Sequence, residues 1–142
     1  MANMVNIANM ANHKIYEGLT TTYEKVTTAA DSYISNSTSI DSLLSSPALL
    51  STIIEISCKM LDKLLPNDFI TVGRNLELSH FNPTLIGEKI SIKITVKKID
   101  KQRIHLEFLG TDSFGEFCKG KYEKAIVDKN TLIESAVKRA KI

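Results

Sequence analysis

The stretch PALLSTIIEISCKMLDKLL, residues 47–65, constrains this chain more than any other: it carries no glycine and stops at Pro66. A serine hydroxyl at position 46 can satisfy an orphan amide of a first helical turn, and proline is tolerated just inside that turn. These signals predict a helix from Pro47 to Leu65. Leu49, Leu50, Ile53, Ile54, Ile56, Met60, Leu61, Leu64 and Leu65 cover far more than one stripe of it, while Glu55, Lys59, Asp62 and Lys63 leave only a narrow polar strip. A helix this apolar must be largely enclosed, so the rest of the chain has to supply a layer that wraps it.

The material for that layer follows directly. Segments 69–79, 88–99, 102–111 and 115–127 read as strands, and 18–28, rich in β-branched residues, as a fifth. In the second segment Ile90, Ile92, Ile94 and Val96 alternate with Ser91, Lys93, Thr95 and Lys97, the pattern of an antiparallel strand with one face buried. Short DKQ and DSFGE connections separate the last three. Residues 1–14 read as a mobile or loosely helical leader, 31–46 as a Ser-rich connection, and 130–142 as a short terminal helix. One domain, 15–142, holds everything else. A strand, one buried helix and four antiparallel strands, in that order, predict an α+β chain of the hotdog type, a sheet curled around a central helix. Such a sheet leaves an edge open to pairing across a two-fold axis, so a homodimer is expected, with tetramers left open.

Composition removes several function classes. Eighteen basic against sixteen acidic residues leave a formal charge of +2, with no cationic run to track phosphates, so nucleic acid is not an expected partner. Cys58 and Cys118 form no CxxC and no metal-ligand spacing; both read as small buried hydrophobes in a reducing compartment. Neither a secretory leader nor an 18-residue apolar span is present, so the expectation is a cytoplasmic protein without a membrane partner.

Candidate chemistry centres on LELSHFNPTLIGEKI, residues 76–90, where His80 falls in phase with Leu76 and Leu78 and so points inward. A neutral imidazole there can accept a proton near pH 7, although a strand-end histidine is also commonly a polar residue satisfied by backbone. His105 is out of phase with Ile104 and Leu106 and reads as outward-facing; His13 belongs to the leader. Gly73 inside a strand marks either a bulge or close approach of a ligand.

Three segments resemble hotdog thioesterases related to fluoroacetyl-CoA thioesterase. SSPALLSTIIEI is similar to the ATPAMVALMEEA type of helix start, TVGRNLELSHFNPTLIGEKI to TVGTxVxVxHxAPTPxG, and FCKGKYEKAIVD to the closing IGxGxHxRxxV strand. The resemblance implies an acyl-CoA thioesterase that uses no cofactor, coenzyme A being part of the substrate. It puts Ser46 at the position of an active-site threonine, His80 at the active-site histidine and Gly73 at the family glycine. The glutamate of the family falls on Ile54; Glu55, the next residue, is turned by about 100° around the helix and is carried as a lesser catalytic candidate. Lys124 stands where the family often has an arginine, a cation able to meet coenzyme A phosphates or an idle surface residue. The expected reaction has water attack the thioester, His80 taking its proton, and Ser46 with the amides of the helix start holding the oxyanion. The rival expectation is a non-catalytic hotdog protein that binds acyl-CoA or another small apolar ligand. A dehydratase is less favoured, because its acid is not found.

Overall fold

A computed structural model describes residues 13–34 and 39–141, so most of the leader and the middle of the Ser-rich segment lie outside the described residues. Strand β1 (Thr20–Val26) is followed by a small hairpin, β2 (Ser32–Ile34) and β3 (Ser39–Leu44), then helix α1 (Ser46–Leu61). Four long strands come next: β4 (Phe69–His80), β5 (Lys89–Asp100), β6 (Arg103–Asp112) and β7 (Gly115–Asp128). Helix α2 (Lys129–Ala140) ends the chain. The main sheet has the order β1-β5-β6-β7-β4, antiparallel at every pairing.

The alternation read from β5 is the alternation found. Ile90, Ile92, Ile94 and Val96 are buried, opposite β6 partners that include Phe108 and Leu106. Against this inner face α1 lays Leu49, Ile53, Ile56, Met60 and Leu61. Each fully buried Leu or Ile contributes about 1.5–3 kcal/mol, so the enclosure demanded by the helix is also its main stabilisation.

Three local readings change. The α-helix ends at Leu61 and continues only as a 3₁₀ turn, Asp62–Leu64, because Asp62 is drawn onto β4: its Oδ1 accepts from the Thr71 amide at 3.1 Å and the Thr71 hydroxyl at 2.6 Å. The Ser-rich segment is a hairpin on both sides of residues 35–38 rather than a bare connection. Its backbone is bonded to the loop after β4, with Leu44 N–H on the Thr84 carbonyl and Ile86 N–H on the Ser42 carbonyl. His105 is half-buried rather than fully outward. The C-terminal tail does form a helix, capped by Asp128, whose carboxylate accepts from the Asn130 and Thr131 amides.

Candidate active site

The start of α1 is built by two adjacent serines with different work. Ser45 is the cap: its Oγ accepts from the Ala48 amide at 3.1 Å and its carbonyl from the Leu49 amide, while Pro47 has no amide to offer. Ser46, the first helical residue, is thereby released from capping. The same arrangement narrows the expected anion site, since the amides of Ala48 and Leu49 are already occupied. What remains at this end is the Ser46 hydroxyl, the Ser46 amide and the positive pole of the helix.

The helix start is anchored from below. Ser45 N–H donates to the carbonyl of Asp31, and Asp31 is itself fixed by Lys25 Nζ at 2.8 Å and by the Thr28 amide at 2.9 Å. Burial would raise the Asp31 carboxyl, but the Lys25 and Thr28 hydrogen bonds, with the Lys25 charge, outweigh it and hold the group below its ordinary range.

His80 closes β4, opposite Cys118 of β7. Its Nδ1 lies 2.8 Å from Ser46 Oγ, joining the end of the edge strand to the start of the helix. The ring meets Phe117 edge-on, centroids 6.0 Å apart, and the next residues are tied down as Phe81 and Asn82 amides both donate to the Phe117 carbonyl. Desolvation lowers the imidazole pKa from its ordinary 6.5, which favours the neutral ring at pH 7. Nε2 is buried without a hydrogen-bond partner among the described residues. Of the two ring nitrogens it is the one whose hydrogen-bonding capacity is unspent.

The remaining candidates fall elsewhere. Glu55 does not join Ser46 and His80; its side chain is 67% exposed and pairs with Lys59 at 3.2 Å, one turn on. The one-residue step from Ile54 turns the carboxylate off the face that carries Ser46. Ile54 itself is 40% exposed. Gly73 has a packing reason: the β4–β7 register shifts between Gly73 and Asn75, and a Cβ at Gly73 would stand 2.6 Å from Tyr122 Oη. The bulge alternative is thus met, and the close neighbour is a side chain of the protein itself. Lys124 is not on the surface. It is fully buried, donating to Ser57 Oγ at 3.0 Å and Cys58 Sγ at 3.2 Å, with Nζ 5.5 Å from the Tyr122 ring centroid. Alternation with buried Tyr122 and Ile126 turns it inward, so its ammonium cannot meet phosphates on the outer surface. That phase was the signal in the sequence that would have found it. Cys118 is buried as expected, with its thiol pushed up to about 12 mainly by desolvation. Among the described residues no helix is long and apolar enough to cross a membrane.

A curled antiparallel sheet around one helix is the hotdog architecture. Solved structures agree on the fold. A hot-dog-like protein from Thermanaerovibrio acidaminovorans superposes with a TM-score of 0.81 at 23% identity, covering 87% of this chain and 91% of that one. A thioesterase superfamily member from Thermus thermophilus gives 0.79 at 18% identity, covering 90% and 94%. A point mutant of the fluoroacetyl-CoA-specific thioesterase, solved with fluoroacetate and CoA, gives 0.76 at 12% identity, covering 83% and 99%. No curated protein matches the chain. Residues 24–130 match the family described as fluoroacetyl-CoA-specific thioesterase, and the chain belongs to that family.

Proposed function

We propose that the protein is an acyl-CoA thioesterase acting on small or medium acyl groups, with Ser46 and His80 as its reacting pair. The observation that carries this reading is the 2.8 Å contact between Ser46 Oγ and His80 Nδ1, in a chain that belongs to a thioesterase family. With the proton on Nδ1, the ring donates to Ser46 Oγ and keeps a lone pair on Nε2. The Ser46 O–H is then free to donate to the thioester carbonyl. Water attacks that carbonyl, Nε2 takes its proton, and the oxyanion is held by the Ser46 hydroxyl at the positive end of α1. Collapse of the tetrahedral species breaks the C–S bond, and the imidazolium returns its proton to the leaving thiolate. The scheme calls on no metal or redox cofactor, because a thioester is already activated and thiolate leaves readily.

In this reading the working form is a homodimer. Strand β4 is an edge of the sheet, with no strand paired to its outer side among the described residues, and it ends at His80, so a second copy seated there would lie next to the pair. A second reading is favoured by Ile54: a family member without the helix carboxylate could bind acyl-CoA without cleaving it. Thiol release from acetyl-CoA through octanoyl-CoA separates the two. Hydrolysis of at least one member is expected; a thermal shift with acyl-CoA and no thiol release across the panel would replace the enzyme by a binding protein.

A further inference from the structure

A buried lysine needs an explanation, and Lys124 lacks the usual one. Of the ion pairs among the described residues, none includes it. An ammonium taken out of water without a carboxylate is costly, and cores rarely keep one unless its hydrogen bonds are satisfied. Here the partners are a hydroxyl and a thiol on the last turns of α1. Ser57 Oγ donates onward to the Ile54 carbonyl at 2.7 Å, which fixes its lone pairs toward the lysine. The lysine stem is held by β7 between Gly73 of β4 and Ile104 of β6. Nitrogen and sulfur are therefore brought to 3.2 Å by two rigid elements, not by a mobile surface side chain. Access is unequal: Lys124 is sealed, whereas Cys58 is only half-buried, so a small solute reaches the sulfur first.

We propose that Cys58 and Lys124 form an oxidative modification site, in which a peroxide-oxidised Cys58 is captured by the Lys124 amine to make a covalent sulfur–nitrogen bond between α1 and β7. In the first step the Cys58 thiol attacks hydrogen peroxide; the O–O bond breaks, sulfur is oxidised to sulfenic acid and water leaves. In the second the ammonium passes a proton by way of the half-buried oxidised Cys58 side chain to water, and its nitrogen lone pair attacks sulfur as the S–O bond breaks. The departing hydroxide takes one further proton from nitrogen and leaves as water. No second oxidant is consumed, and a dithiol reverses the bond by reducing sulfur. The site lies apart from Ser46 and His80, since Cys58 is twelve residues along α1 from Ser46, about 18 Å of helix. Cys118 offers no competing thiol: it is fully buried and its thiol stays protonated.

The test is peroxide treatment of the full chain, read by intact mass and peptide mapping with and without later dithiothreitol. The expected product is lighter by about 2 Da, the two hydrogens lost when a sulfenic acid condenses with nitrogen. It yields one linked peptide pair containing Cys58 and Lys124, loses tryptic cleavage after Lys124, leaves Cys118 free and reverts with dithiothreitol. Cys58→Ser should abolish the shift. Oxygen added to Cys58 with the Lys124 peptide unchanged, a disulfide in place of the linked pair, or methionine oxidation while Cys58 remains alkylatable would each overturn the assignment.

Discussion

The two flanks of α1 face opposite edges of one sheet and carry different chemistry. On the flank toward β4, Ser46 meets His80. On the flank toward β1, Thr52, Glu55, Lys59 and Lys63 line a solvent groove of about 240 Å³ with Thr21 and Lys25. The first flank is poor in charge and holds a polar pair that is partly desolvated; the second is hydrated, and its carboxylate is spent on an exposed ion pair worth about 0.3–0.5 kcal/mol. The difference shows why residue type alone misleads here. Glu55 is the acidic residue nearest in sequence to the family glutamate position, yet it belongs to the flank where water, not a thioester, is the neighbour.

The largest effect should come from removing the imidazole. His80→Ala is expected to lower kcat/KM by about 10²–10⁴-fold, the range of a general base, while circular dichroism stays native. The wild-type pH profile should agree in sign. A base works when neutral, and burial lowers the His80 pKa, so the acid limb of kcat/KM should fall below pH 6.5. The same shift contributes stability that is present above the unfolded-state pKa and lost as pH falls through the folded one. An acid limb above 6.5 would mean that some other group titrates.

The adjacent serines give the next contrast. Ser46→Ala should cost about 10²–10³-fold in kcat, as for loss of one oxyanion donor, with little change in melting temperature. Ser45→Ala should do the reverse, costing about 1 kcal/mol of stability with kcat nearly kept. If the two variants exchanged phenotypes, the division between cap and reacting hydroxyl would be wrong. Smallest of all, Glu55→Gln should leave kcat/KM within about twofold and stability within about 0.5 kcal/mol. A large loss of activity there would move the site to the hydrated flank.

The architecture was legible because its signals are long and periodic. Four isoleucine and valine positions in β5 fix a buried face, and an apolar helix without a cover is not a stable object in water. The meeting of Ser46 with His80 was legible in part, since the inward phase of His80 and the position of Ser46 at a helix start each limit where the side chains go. Choosing between Ser45 and Ser46 as cap was not, because neighbouring serines offer the same group and only the backbone geometry at Ser45 decides. Lys124 differs for another reason: a cation at a family arginine position suggests the surface, whereas its phase with Tyr122 and Ile126 on either side turns it inward. In the Ser-rich segment the bonds that dock the hairpin run to Thr84 and Ile86, some forty residues away, beyond what local pattern can carry.

The most direct measurement is a kinetic double-mutant cycle on the flank toward β4, using kcat for the best acyl-CoA with wild type, Ser46→Ala, His80→Ala and the double variant. Groups that act as one hydrogen-bonded unit give strongly non-additive losses, so the double variant should be no slower, within about threefold, than the worse single variant. Losses that multiply, or activity undiminished in either single variant, would contradict a joint role for Ser46 and His80 in cleaving the thioester.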